Sequence, residues 1–240
     1  MILSEMLFEK MKKTIKNYPI LLVPITNKRL KGTAFFPAGD GVYKEKNESI
    51  KNYYQIMVVG QDYDNEDNYE KVQKLPNQSE LDNKNTTWRN LIKILGKDIV
   101  KQCFFTNAIM GLRVGNTKNT GVSVAFKKGN EQFLNENISF FKEQVRVMQP
   151  EIIICFGAQI PRFIGKCFPD KFPDLNKIKS FKQLDYSDFK DQNKLFFDEK
   201  SIKIIFITHP SLYYVNASKR LGGIEFERKL IEDVVNELDN

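Results

Sequence analysis

Glu151-Ile152-Ile153-Ile154-Cys155-Phe156-Gly157-Ala158 carries five apolar residues in a row and then stops at glycine. A strand that is apolar on both faces belongs in the middle of a sheet covered on both sides, which is the situation of a parallel strand. On its N-terminal side, Glu131 to Met148 repeats Leu134, Ile138, Phe141, Val145 and Met148 every three or four residues, the spacing of one helical face. On its C-terminal side, Ala158 to Phe168 reads as a shorter, proline-containing helix.

Three other runs share this character: Gln55 to Val59, Cys103 to Thr106, and Lys203 to Thr208. Thr86 or Thr87 is expected to cap a helix over Trp88 to Leu95, and Ile224 to Leu238 forms another, with Phe226, Leu230, Val234 and Leu238 in register. Strand and helix therefore alternate four times. Right-handed crossovers then give a three-layer α/β/α sandwich around a central, mainly parallel four-stranded sheet. Met1 to Lys16 reads as an amphipathic helix with Met6, Leu7, Met11 and Ile15 on one face. A single domain over 1–240 is expected, with Pro169 to Ser201 as an insertion of unread structure and Gly111 to Asn130 as a second unread stretch.

The 240 residues are 41% hydrophobic and 12% aromatic, enough for one substantial core. Thirty-seven Lys and Arg against 30 Asp and Glu leave a net charge of +7, which suits a polyanionic partner without specifying one. The single histidine, His209, excludes any metal site built on two imidazoles. The three cysteines form no C-x-x-C pair, so neither a disulfide framework nor a four-thiolate cluster is expected. No apolar run approaches the roughly 20 residues that span a bilayer, and a soluble, cytoplasmic monomer with no membrane association is expected.

In a parallel sheet the residues after each strand gather along one edge, where ligands bind. Those residues are Gly60-Gln61-Asp62, Asn107, Gly157-Ala158 and His209-Pro210-Ser211. A carboxylate can orient water, a carboxamide can read a donor–acceptor pair on a heterocycle, and an imidazole can donate to an oxygen that becomes anionic. Cleaving the bond to a nitrogenous base asks for all three. Neither G-x-S-x-G nor a P-loop is present.

In order and spacing, these four segments resemble the uracil-DNA glycosylase superfamily from about Phe35 to Arg220. The resemblance implies extrusion of a base from DNA and hydrolysis of its N-glycosidic bond, with no cofactor and no metal. It makes Asp62 and His209 the catalytic pair. Gln61, Asn107, Phe36 and Tyr63 become candidates for holding the base. Ser211 resembles the phosphate-binding turn, and Tyr213, Tyr214, Lys219, Arg220 and Arg113 become candidate DNA contacts, with Leu212 and the two tyrosines as wedges. The best-known branch continues its first motif as Pro-Tyr-His, whereas Tyr63-Asp64-Asn65 stands here, so the preferred base is open between uracil and a related damaged or modified base.

Plainer readings accompany each residue: Asp62 as the cap of the next helix, Asn107 as an Asx turn, His209 as a structural histidine, the tyrosines as core, and the lysines as solvated surface. Two other functions are open. Asp62, Asp64, Glu66, Asp67 and Glu70 put five carboxylates into nine residues, and Asp-x-Asp after a parallel strand suits a magnesium-dependent phosphatase. The altered first motif also suits a nucleic-acid-binding homologue that lacks turnover or reads another base.

Overall fold

The computed structural model describes residues 3–25, 55–74, 85–115, 119–191 and 193–236. Its main sheet has five strands in the order β3-β2-β5-β7-β6, and a two-stranded ribbon pairs β1 with β4. The strands are β1 Leu22–Val23, β2 Ile56–Gly60, β3 Cys103–Asn107, β4 Leu112–Arg113, β5 Ile152–Phe156, β6 Lys194–Phe197 and β7 Lys200–Ile207. The first four strands of the main sheet are parallel, as the uninterrupted apolar runs require.

The fifth strand, β6, runs antiparallel to β7 and was not apparent in the sequence. As an edge strand it alternates Leu195 inward with Phe196 outward instead of forming an apolar run. Its turn, Asp198-Glu199, places both residues at positive φ, a conformation the usual Asn-Gly or Asp-Gly signal would have announced.

Alternate residues of the buried strands supply two cores. Met57, Val59, Phe104, Ile153, Cys155, Ile204 and Phe206 pack on the side of helices Leu3–Thr14, Glu131–Met148 and Ile160–Cys167. Ile56, Val58, Phe105, Ile152, Ile154, Ile205 and Ile207 face Trp88, Leu91 and Leu95 of helix Thr86–Leu95, and Ile231 and Val234 of helix Gly223–Asn236. Three layers result. All three cysteines are free and buried.

Several local expectations shift by a residue or two. Asn85, not a threonine, caps helix Thr86–Leu95, its side chain accepting from the Thr87 and Trp88 amides. In the first helix Phe8 joins Leu7 and Met11 in the core while Met6 is 39% exposed. The last helix buries Glu227, Ile231 and Val234 rather than the Phe226–Leu230 row, because a buried carboxylate takes the inward position. The segment 169–201 holds two 3-10 turns, the helix Phe181–Asp185 and β6.

Register fixes the functional edge. Gly60 pairs with Asn107 and Phe156 with Ile207, so all four parallel strands end at one level. Gln61-Asp62, Gly157-Ala158 and His209 follow directly beyond that line.

Candidate active site

Asp62 leaves β2 with its carboxylate almost buried, 8% exposed. One oxygen accepts the Asp64 amide at 2.9 Å and the other accepts the Gly121 amide. The Nε of Arg113 lies 3.5 Å from the first oxygen. Asn65, not Asp62, caps the helix that follows, so the plain capping role is already filled. A cation and two amides thus hold the Asp62 carboxylate in a fixed orientation at the cavity wall.

Asp64 occupies the left-handed region at φ 71, unusual for a non-glycine residue. Its side chain pairs with Arg113 and accepts from the Asn65 amide at 2.8 Å and from Asn68 at 3.0 Å. The Arg113 amide in turn donates to the Asp64 carbonyl at 2.9 Å, and Leu112–Arg113 is tied to Leu22–Val23. A guanidinium therefore already occupies the space between the two aspartates. The phosphatase reading loses the paired carboxylates it needs for metal. Among the described residues, no three His, Cys, Asp or Glu side chains cluster to hold an ion.

His209 follows the end of β7. Its Nδ1 lies 2.8 Å from the Ser211 hydroxyl and accepts the Ser211 backbone amide at 3.3 Å. An Nδ1 that accepts an amide hydrogen carries no proton, so in the neutral ring the proton sits on Nε2. Burial pushes the imidazole below its ordinary 6.5, with the Asp62 charge pulling it back up. The ring is thus neutral near pH 7 and offers one donor.

Asn107 is 4% exposed at the end of β3. Beside it, Gln61 presses against Gly157, where an added Cβ would meet the Gln61 Nε2 at 2.5 Å. Gly157 also has φ +104, so no larger residue fits without strain. Gly157→Ala is expected to cost about 1–3 kcal/mol from backbone strain, before any displacement of Gln61. Each kcal/mol lowers Tm by about 2–4 °C in a chain of this size, so calorimetry against the parent checks it.

One cavity of about 1070 Å³ is lined by Gln61, Asp62, Tyr63, Asn107, His209 and Ser211, among others. It lies beyond the carboxyl ends of the parallel strands and exceeds the roughly 300–1,000 Å³ of ordinary ligand cavities. A family model for the uracil DNA glycosylase superfamily matches residues 55–238. The chain belongs to the uracil DNA glycosylase superfamily. A search of curated proteins returned no match. The superfamily acts on DNA, and a DNA glycosylase type of function follows for the chain in general terms. No helix among the described residues is long and apolar enough to cross a membrane.

For this glycosylase-superfamily chain the structure revises several expected DNA contacts. The Arg220 side chain is 3% exposed and pairs with Asp185 and Glu227, so it is an internal cation and not a phosphate ligand. Tyr213 is 3% exposed and belongs to the core, which removes it as a wedge. Arg113 spends its guanidinium on Asp62 and Asp64 rather than on DNA. Tyr63 packs partly into the core, its hydroxyl 3.4 Å from the Met110 sulfur, while still lining the cavity. Phe36 lies outside the described residues. Lys219 and Leu212 line the cavity, Leu212 being 58% exposed, while Tyr214 is 49% exposed but is not part of the cavity lining.

Gly121, whose amide holds Asp62, Asn90, whose side chain donates to the Pro210 carbonyl at 2.7 Å, and Asp185 carry no signal in the sequence that marks them as part of the site. Glu227 had one usable signal: it sits where the helical period of the last helix calls for an inward residue.

Proposed function

We propose that the protein is a monomeric, monofunctional DNA glycosylase that hydrolyses the N-glycosidic bond of a flipped uracil or closely related base without a metal. The observation that supports it is the convergence of Asp62, Asn107 and His209, from the ends of three parallel strands, on one cavity. Flipping costs a few kcal/mol, offset by phosphate contacts and by side chains that fill the vacated stack. Leu212, exposed at the cavity, is the apolar group placed for filling, with the exposed Tyr214 two residues further on, and Ser211, Lys219, Lys71 and Lys182 at the cavity suit the phosphates.

In the reaction the bond between the sugar C1′ and the base nitrogen breaks, and its electron pair leaves with the base. Asp62 orients the attacking water and opposes the positive charge that grows on the sugar. The Nε2–H of His209 donates to the base oxygen that takes up the negative charge. Asn107, and Gln61 beside it, read the polar edge of the base. Water oxygen bonds to C1′ and its proton passes to the departing base or to solvent, which balances the hydrolysis.

The guanidinium beside Asp62 favours a second reading, because it tempers the negative charge that would oppose the sugar cation. In that reading the protein binds DNA without turnover, and its affinity falls steeply with salt. One assay separates the two. A uracil-containing oligonucleotide is incubated with the protein in excess EDTA and then treated with alkali. Strand breaks at uracil are expected. Intact strands with uracil, hypoxanthine and modified cytosine alike would rule out the glycosylase.

A further inference from the structure

Thr208, the residue before His209, is fully buried and delivers two hydrogen bonds to one carboxylate. Its amide reaches Glu227 Oε1 and its hydroxyl reaches Oε2, both at 2.9 Å. Arg220 Nη1 donates to the same Oε1 at 2.7 Å and to the Phe206 carbonyl, also at 2.7 Å. The far side of that guanidinium is held by Asp185, with Nε at 3.2 Å from one oxygen, while the Leu221 amide donates to the other oxygen at 3.2 Å. Phe181 and Phe226 cover the guanidinium, 4.5 and 5.2 Å from its central carbon.

These groups are a continuous buried path from the segment 169–201 to the end of β7. Asp185 lies in that segment, Arg220 and Glu227 in the C-terminal region, and Thr208 at the strand end. A buried ion pair is weak evidence for net stability, since desolvation offsets much of the attraction. It is strong as a geometric constraint, because each charge stays buried only while its partners remain in place. On the other side, Asn90 fixes Pro210. His209 therefore hangs between two anchors.

We propose that Asp185, Arg220 and Glu227 are positioning residues that set the orientation of the His209 imidazole through Thr208, and that the segment 169–201 braces the site in this way besides lining the cavity with Phe181 and Lys182. The inference rests on the glycosylase reading for its kinetic consequence but not for its geometric one. A misplacement of about 1 Å in a reacting group can cost about 10²-fold in rate, so a loosened anchor acts on turnover more than on substrate affinity.

The lone histidine makes the test clean, because its ring nitrogens give the only imidazole signals in a 15N spectrum. Glu227→Gln and Asp185→Asn keep the shape and remove the charge. Both are expected to shift the His209 ring signals or mix its two tautomers. On uracil-containing DNA both are expected to lower kcat by about 10–100-fold at nearly constant KM. Thr208→Val, which deletes only the hydroxyl donor, should move the same signals less and carries the test if the charge variants do not fold. Folded variants with parental His209 signals and parental kcat would overturn the bracing. A parent enzyme without turnover whose His209 signals still move in the variants would overturn the glycosylase reading alone.

Discussion

Asp62→Asn is expected to lower kcat on a uracil-containing strand by about 10²–10⁴-fold while leaving DNA affinity close to that of the parent. The amide keeps the shape of the side chain but removes the charge that opposes the sugar cation. It also disturbs the three donors that now converge on the carboxylate, the Gly121 amide, the Asp64 amide and the Arg113 guanidinium. Single-turnover kinetics with protein in excess separate the two effects, since binding and chemistry are then read independently. Parental single-turnover rates in the variant would remove Asp62 from the chemistry.

His209→Gln is expected to cost about 10²–10³ in kcat, the usual consequence of removing one donor from a site where negative charge develops. The same residue leaves a signature in stability. Burial lowers its folded-state pKa below the ordinary 6.5. As pH falls through the unfolded value near 6.5, the unfolded chain binds a proton that the folded chain refuses. Stability is therefore present above that pH and is lost progressively down to the folded-state pKa, below which the loss levels off. The parent should lose Tm relative to His209→Gln between about pH 7.5 and 5, measured by calorimetry at several pH values. A Tm difference that stays constant across that range would mean that the ring is not held neutral by burial.

Most of the architecture was legible because parallel strands buried on both faces leave an unmistakable trace. Ile152 to Phe156 cannot be a solvent-edged strand, and the residues after it and its three counterparts fall at the edge where the cavity lies. The edge strand β6 was hidden for the opposite reason: half-exposed, four residues long and closed by Asp198-Glu199, it mimics a polar loop. At the site, Gln61, Asp62, Asn107 and His209 could be named because they adjoin strands. Gly121 and Arg113 act on Asp62 from a stretch without periodicity, and nothing local marks a backbone amide as a ligand. Arg220 misled for a physical reason. A basic residue near the phosphate-binding turn looks like a DNA contact until its partners are known, and those partners, Asp185 and Glu227, lie 35 and 7 positions away.

The most direct test of one cavity acting on one flipped base is a crystal structure of Asp62→Asn bound to uracil-containing DNA, in which slowed chemistry preserves the substrate. The expected result is an extruded uracil with the Asn107 carboxamide and the His209 Nε2 within about 3 Å of its polar edge. A uracil still stacked in the DNA, or seated away from Asn107 and His209, would contradict it.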